Sequence, residues 1–480
     1  MKSWEADEVY LVFRAPTHRA FPWTYVFPGG RIDPSDREVE VLDPEGACPH
    51  DYVAAARELF EEVGVLPAVR RCGGPVDPGE LPALRRALLA GELSFSRVMS
   101  ALGAVVDGRT LLPLGVKTTP RFFDVRFRNR FFLAVLPEGQ EPAVVPGELE
   151  SGLWIRADEA VRRFEAGDLP LVPPVLGLLE ILAGHRPDQS LERLRQYDDE
   201  KLRDLPLIAR FSPEVYIFPA SARTLPPAWS TNTYVVGRDR LLVVDPATSD
   251  QHEGDQLLAL ISSLSARGGS LEAIVLTHHH PDHLGALHRV LERFPAPVWA
   301  HRLTAERLAD VEVSRFLEDG ETIDLGDGGA VRVIHTPGHA PGHVCLLQQK
   351  FGGLIVGDMV STTSTIIIDP PEGDLVQYLA SLAKLMALDA RVLYPGHGIP
   401  TRTVRQTLQW YLDHRARREQ QVLDGLDRTW KALDALVPEV YSDEPVSSHR
   451  YAARNLLATL LKLQQDGRAE RDEGGRWRRR

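Results

Sequence analysis

Thr277-His278-His279-His280-Pro281-Asp282-His283 is the stretch on which the fold of the second half turns. Ala273–Thr277, just before it, is apolar and rich in β-branched residues, so it reads as a strand ending inside a sheet. The polar cluster then falls at the C-terminal end of that strand, where α/β proteins gather their sites. Pro281 suits the first turn of a following helix. The HxHxDH spacing lets His278 and His280 face one ion, while Asp282 and His283 can turn toward a second.

The same arrangement recurs downstream. His339 lies in His335-Thr336-Pro337-Gly338-His339, after the strand-like run Val331–Ile334. Asp358 follows Leu354–Val356 and Gly357, and His397 follows Val392–Tyr394 and the turn Pro395-Gly396. Imidazole and carboxylate are ligands for zinc, iron or manganese. Two such ions side by side can share a hydroxide and a bridging carboxylate.

On Asp245 after an apolar strand, LTHHHPDHLGA, HTPGHAPGH, VGD and YPGHG, residues 207–400 resemble a metallo-β-lactamase-superfamily hydrolase. The resemblance implies an αβ/βα sandwich with a dinuclear site holding two Zn²⁺, or Fe or Mn. One metal would take His278, His280 and His339. The other would take Asp282, His283 and His397, with Asp358 bridging and Asp245 supporting rather than binding. The implied chemistry is attack by a metal-activated hydroxide on an ester, thioester or phosphodiester, with Asp282 orienting the nucleophile.

The first half carries a different cluster. In Arg57-Glu58-Leu59-Phe60-Glu61-Glu62-Val63-Gly64, a helix over Val53–Val63 puts Glu58, Glu61 and Glu62 on one face, and Gly64 falls where a helix C-cap would. Clustered carboxylates suit Mg²⁺ or Mn²⁺, which grip phosphate oxygens. Phe27-Pro28-Gly29-Gly30-Arg31 supplies a turn before it. These stretches, with TTPRFFDVRFRNRFFLAV and GELESGLWIRADEAV, resemble the Nudix box and its surroundings, in the coenzyme A diphosphatase-like branch. The separation of Gly30 from Arg57 exceeds the usual spacing, and Asp36 stands where the box has a Glu. The resemblance implies an α/β/α Nudix sandwich over residues 1–185. Its substrate would be a nucleoside-diphosphate-linked compound, CoA or acyl-CoA among them. Glu58, Glu61 and Glu62 would hold metal and Arg57 would orient a carboxylate. Glu148 or Glu150 would serve as base, and Arg14 and Arg19 would match the arginines that contact CoA.

Residues 186–206 are charged and read as a connector, and 401–470 as mostly helical. HRYAARNLLATLLKLQQDG resembles the winged-helix-like appendage of the β-lactamase-like protein 2 group, some of whose members cut single-stranded RNA. The polar tail 471–480 is expected to be disordered. The fold class is thus α/β and α+β in two catalytic parts.

A chain of 480 residues exceeds one core, and 43% apolar with 25% charged residues is a soluble balance. Cys48, Cys72 and Cys345 are far apart and form no CxxC pair, which suits reduced thiols. No secretory signal is read at the start, so a cytoplasmic location is expected. The net charge of −12 argues against wholesale nucleic-acid or membrane binding. A small-molecule substrate leads, with RNA processing and a non-catalytic Nudix sensor as alternatives. A homodimer through the C-terminal helices stays open.

Overall fold

A computed structural model describes residues 8–18, 20–118, 128–184, 192–194 and 209–480. The chain divides into two compact units, the first ending near Leu205 and the second running from Glu214 to Arg480.

The first unit is α/β. Glu8–Arg14 pairs antiparallel with Tyr25–Val26 on one side and Leu149–Arg156 on the other. Val41–Leu42, Ala104–Asp107 and Ala68–Arg70 form a second ladder, and Leu111–Thr118 with Arg128–Ala134 a third. The helix Pro49–Val63 ends at Gly64, whose φ of 76° is left-handed, and the cap N–H returns to the Phe60 carbonyl. Tyr52, Val53, Ala56 and Phe60 point into one core, while Val63 joins a second core with Val9 and Leu11. Most of the expected connector 186–206 lies outside the described residues. Leu194, within it, is buried against Leu114, Leu133 and Leu178, so part of that stretch does fill a core.

The second unit stacks two sheets. The first runs in the order Val313–Phe316, Val298–Ala300, Ser270–Val275, Arg240–Val244, Ser230–Val236, Val215–Ser221. The second has the order Thr322–Asp324, Ala330–His335, Val344–Gln348, Gly353–Ser361, Val392–His397. Helices Gln251–Ser265 and Leu287–Arg293 cover the first sheet through Leu257, Leu260, Ile261 and Val290. Helices Leu375–Met386 and Val404–Gly425 cover the second through Tyr378, Leu382, Leu408 and Tyr411. Apolar stripes on helices and near-continuous apolar runs in the strands make this layering the way to bury both.

Three sequence expectations change. Asp358 and His397 were placed after strands, but both lie within them: Gly353–Ser361 and Val392–His397 run parallel, with register shifts on both sides of Gly357. The boundary at 400/401 does not separate two bodies. Val404 and Leu408 pack into the sandwich core, while Val422 and Leu423 of the same helix pack with Leu436, Leu456 and Trp477. The tail is not disordered. Ala469–Arg471 and Trp477–Arg479 form an antiparallel hairpin, turning at Gly475 with a φ of 78°. Its driving force is Trp477, 1% exposed, which caps the small core between helices Leu433–Val440 and His449–Gln465. A polar composition concealed one large aromatic that a neighbouring core could bury.

Candidate metal centre

Asp245 organises the HxHxDH loop. Its backbone is left-handed, with a φ of 50°. Its carboxylate accepts from the Thr277 N–H at 2.8 Å and the Thr277 hydroxyl at 2.6 Å, and lies 2.9 Å from His283 Nδ1. Both carboxylate oxygens are therefore spent on protein donors, and His283 is left presenting Nε2. Pro281–His283 is a short 3-10 turn with Pro281 at its start, which leaves the His283 ring 4.3 Å from that of His278 while its Nε2 faces Asp358.

Two sets of donors result. His278 Nε2 lies 3.0 Å from His280 Nδ1, which is 2.9 Å from His339 Nε2, and Asp358 Oδ2 is 3.5 Å from that last nitrogen. Ligand atoms of these four residues fall within 4.8 Å of one another, as do those of Asp282, His283 and His397. Asp358 Oδ1 turns to the second set, 3.3 Å from His283 Nε2 and 3.2 Å from His397 Nε2. Asp282 Oδ2 stands 3.6 Å from His397 Nε2 and accepts from the Thr231 hydroxyl at 3.4 Å.

The outer nitrogens of the imidazoles are held. His339 Nδ1 meets the Ile367 carbonyl at 2.9 Å and His397 Nδ1 the Ser230 carbonyl at 2.9 Å. A carbonyl can only accept, so each Nδ1 carries the proton and Nε2 offers its lone pair.

Burial, with His283 and His280 adding, holds His278 well below the ordinary histidine pKa. Burial and then His339 bring His280 down to about 4. Burial opposes charge on His283, yet the Asp358, Asp282 and Asp245 carboxylates together raise its pKa well above the ordinary value. A bound cation would supply the charge that those carboxylates otherwise draw from protons. His283 Nε2 and Asp358 Oδ1 are also buried without a hydrogen-bond partner. Orphaned donor atoms, converging imidazoles and shared carboxylates all fit divalent cations.

Several residues that the sequence analysis did not single out position this centre. His343, fully buried, lies 2.9 Å from the Thr336 hydroxyl through Nδ1 and accepts the Asp358 N–H through Nε2 at 3.1 Å. Only glycine fits at 357: a Cβ there would meet His343 Nε2 at 2.7 Å and Thr277 Oγ1 at 2.8 Å. Asn232 donates to the carbonyls of Pro395 and Gly398 at 2.9 and 2.8 Å, fixing the turn that carries His397. His279 lies 2.8 Å from Glu372, which stands 3.9 Å from His280 Nε2. The readable signals were a second His within HTPGHAPGH and polar residues in the wholly buried strand Ser230–Val236.

In the first unit, Arg57 is buried and forks onto Asp36, with Nε to Oδ1 at 2.8 Å and Nη2 to Oδ2 at 3.1 Å. Its Nη1 reaches Glu58 at 2.7 Å and Glu61 at 3.3 Å. Glu62 turns elsewhere, accepting from the Gly29 N–H at 2.9 Å. Among the described residues, no three of these carboxylates bring oxygens within 4.8 Å of one another. Arg14 is an electrostatic neighbour of Glu62 and Glu148. Arg19 lies outside the described residues.

Burial lifts the Glu62 carboxyl to about 7, against the Gly29 hydrogen bond, with Glu58 adding to the rise. The folded chain therefore keeps a proton that the unfolded chain releases above its ordinary value of 4.5. Stability contributed by that proton is full at low pH and lost as pH rises toward 7, up to about 3 kcal/mol. Glu62→Gln should match wild type near pH ~4.5 and exceed it in thermal stability near pH ~8, in chelator-treated protein. A gap that does not widen with pH contradicts the shifted carboxyl.

Residues 226–397 match the family model of the metallo-beta-lactamase superfamily, and 432–477 that of the beta-lactamase associated winged helix domain. A beta-lactamase-like protein 2 homolog from Caenorhabditis elegans is 30% identical over 246 residues, 50% of this chain and 80% of that protein. An atrochrysone carboxyl ACP thioesterase from Aspergillus fumigatus is 31% identical over 252 residues, 49% of this chain and 76% of that protein. A beta-lactamase domain protein from Burkholderia ambifaria aligns with 57% of this chain and 95% of its own, at a TM-score of 0.51 and 21% identity, which shows the fold alone.

Proposed function

This chain belongs to the metallo-β-lactamase superfamily and is a hydrolase, and from that premise we propose that its second unit cleaves a small acyl thioester or ester at a two-cation centre. The observation that carries the two-cation reading is Asp358, whose Oδ2 faces His339 and whose Oδ1 faces His283 and His397. His278, His280 and His339 would hold one cation, and Asp282, His283 and His397 the other, with Asp358 between them. Cations bound there would lower the pKa of a water and polarise the acyl carbonyl. Asp282, kept in place by Thr231, accepts a hydrogen bond from the attacking water and aims it at the acyl carbon. The carbon–sulfur bond then breaks, leaving a carboxylate and a thiol. The thioester class is supported by the relative described as an ACP thioesterase.

For the first unit we propose hydrolysis of a nucleoside-diphosphate-linked compound, CoA or acyl-CoA included, with Mg²⁺ or Mn²⁺ held by Glu58, Glu61 and Glu62. What supports it is the buried Arg57–Asp36 fork, which ties the acidic part of the helix Pro49–Val63 to the turn Pro34–Glu38, and Arg14 beside Glu62. Glu58 lies so close to Gly30 that a Cβ there would meet its carboxylate at 2.3 Å, as a tight loop over such a site requires.

One experiment tests both halves: metal content by mass spectrometry, with hydrolysis of acyl-CoA, CoA, a lactone and single-stranded RNA by wild type, His280→Ala and Glu61→Gln. About two transition-metal ions per chain are expected. His280→Ala should lose metal and thioesterase activity together, and Glu61→Gln only a Mg²⁺-dependent diphosphatase. Thioester cleavage indifferent to His280→Ala would sink the first proposal. Diphosphatase activity untouched by Glu61→Gln, or absent altogether, would sink the second and favour a sensor role. Cleavage of RNA alone would reassign the centre to RNA processing.

A further inference from the structure

His339 is aimed by a carbonyl from another part of the chain. Its Nδ1 is 2.9 Å from the Ile367 oxygen, and its Nε2 faces His280. Ile367 lies between the strand Gly353–Ser361 and the helix Leu375–Met386, in an irregular segment with no ladder to hold it. Its neighbours Ile366 and Ile368 are buried in the sandwich core.

The Ile367 carbonyl and the Ile368 N–H belong to one trans peptide, so they point in opposite directions. That N–H donates to Asn455 Oδ1 at 2.9 Å. Asn455 stands on the helix His449–Gln465, within the segment that matches a winged helix domain. The same Asn455 oxygen accepts from Arg415 Nη1 at 3.2 Å, while Arg415 Nη2 donates to the Ile366 carbonyl. Asn455 and Arg415 are 9% and 5% exposed, so water does not substitute for either. A continuous line thus runs from the C-terminal helix through one peptide plane to a candidate ligand.

We infer that Asn455, held by Arg415, is a positioning residue for His339, and that the C-terminal helical segment thereby sets the geometry of the metal centre. Without the Asn455 oxygen, the Ile368 N–H would be left unpaired in a dry core, which is unfavourable for a buried donor. The peptide then gains by rotating toward another acceptor, and rotation takes the Ile367 carbonyl off His339. The ring loses its fixed tautomer and direction, which typically costs about 10–100-fold in metal affinity.

The inference rests on His278, His280 and His339 binding one cation. The test is cobalt(II) titration of the full chain, read by chelator competition and by the visible absorption of the bound ion. Wild type that binds no cobalt would reject that underlying reading, apart from anything about Asn455. Given wild-type binding, Asn455→Ala should bind at least about tenfold more weakly with altered absorption bands. Asn455→Asp, which keeps the acceptor, should restore both. Leu463→Val, two turns along the same helix in the small C-terminal core, changes packing without touching the relay and should leave both as in wild type. A folded Asn455→Ala with wild-type affinity and bands, or an Asn455→Asp as weak as Ala, overturns the inference. If Asn455→Ala does not fold, Asn455→Gln shifts the acceptor by one methylene and carries the same expectation, and wild-type affinity there overturns it.

Discussion

Asp358→Ala is expected to reduce hydrolysis by about 10³-fold or more and to lower the bound metal. Metal-ion catalysis supplies several kcal/mol of charge stabilisation, and each 1.4 kcal/mol is about tenfold in rate. Among the described residues, Asp358 is the side chain that faces both donor sets, through different oxygens. It is also the largest charge lifting the His397 pKa against burial. Its loss therefore leaves two buried imidazoles without the carboxylate that balances them. Metal content and kcat are read together on the same preparations. A variant retaining wild-type metal and more than about a tenth of wild-type kcat would reject the proposed bridge.

Asp245→Ala should lower the stability of the metal-free protein by about 3–5 kcal/mol, the cost of breaking a buried charged network from one side. Three donors converge on this carboxylate: the Thr277 N–H, the Thr277 hydroxyl and His283. All three belong to the loop that carries the metal donors, so the variant is also expected to bind metal poorly. The backbone adds a term, since the φ of 50° at this position is strained for alanine and tolerated by asparagine. Asp245→Asn keeps an acceptor for the Thr277 N–H and should fall between alanine and wild type. Denaturant unfolding in chelator measures both. A loss below about 1 kcal/mol for Asp245→Ala would mean that the network is not what holds the loop.

The candidate donors were legible because their chemistry allows few substitutes and their spacing is local. His278, His280, Asp282 and His283 fall within six consecutive positions, and the turn that separates the two pairs is written beside them as Pro281. The helix Pro49–Val63 was equally readable, from its acidic face to its Gly64 cap. Apolar alternation also located the sandwich strands, since a sheet covered by helices leaves continuous apolar runs.

Partnerships between distant residues were not legible. Asn232 reads as one polar residue in an apolar strand, yet it donates to the Pro395 carbonyl 163 positions later. Asn455 reads as a polar point on an amphipathic helix, yet it meets the Ile368 N–H 87 positions earlier in the chain. Trp477 sits among arginines and reads as part of a solvated tail until the small C-terminal core encloses it. Residue types and short spacings thus named the candidate cation donors and located most of the strands and helices, because those depend on chemistry and on periods of a few residues. The tautomers of His339 and His397 and the peptide that aims His339 were decided by tertiary structure alone. Each depends on which distant groups share a dry interior, where every polar atom must find a partner.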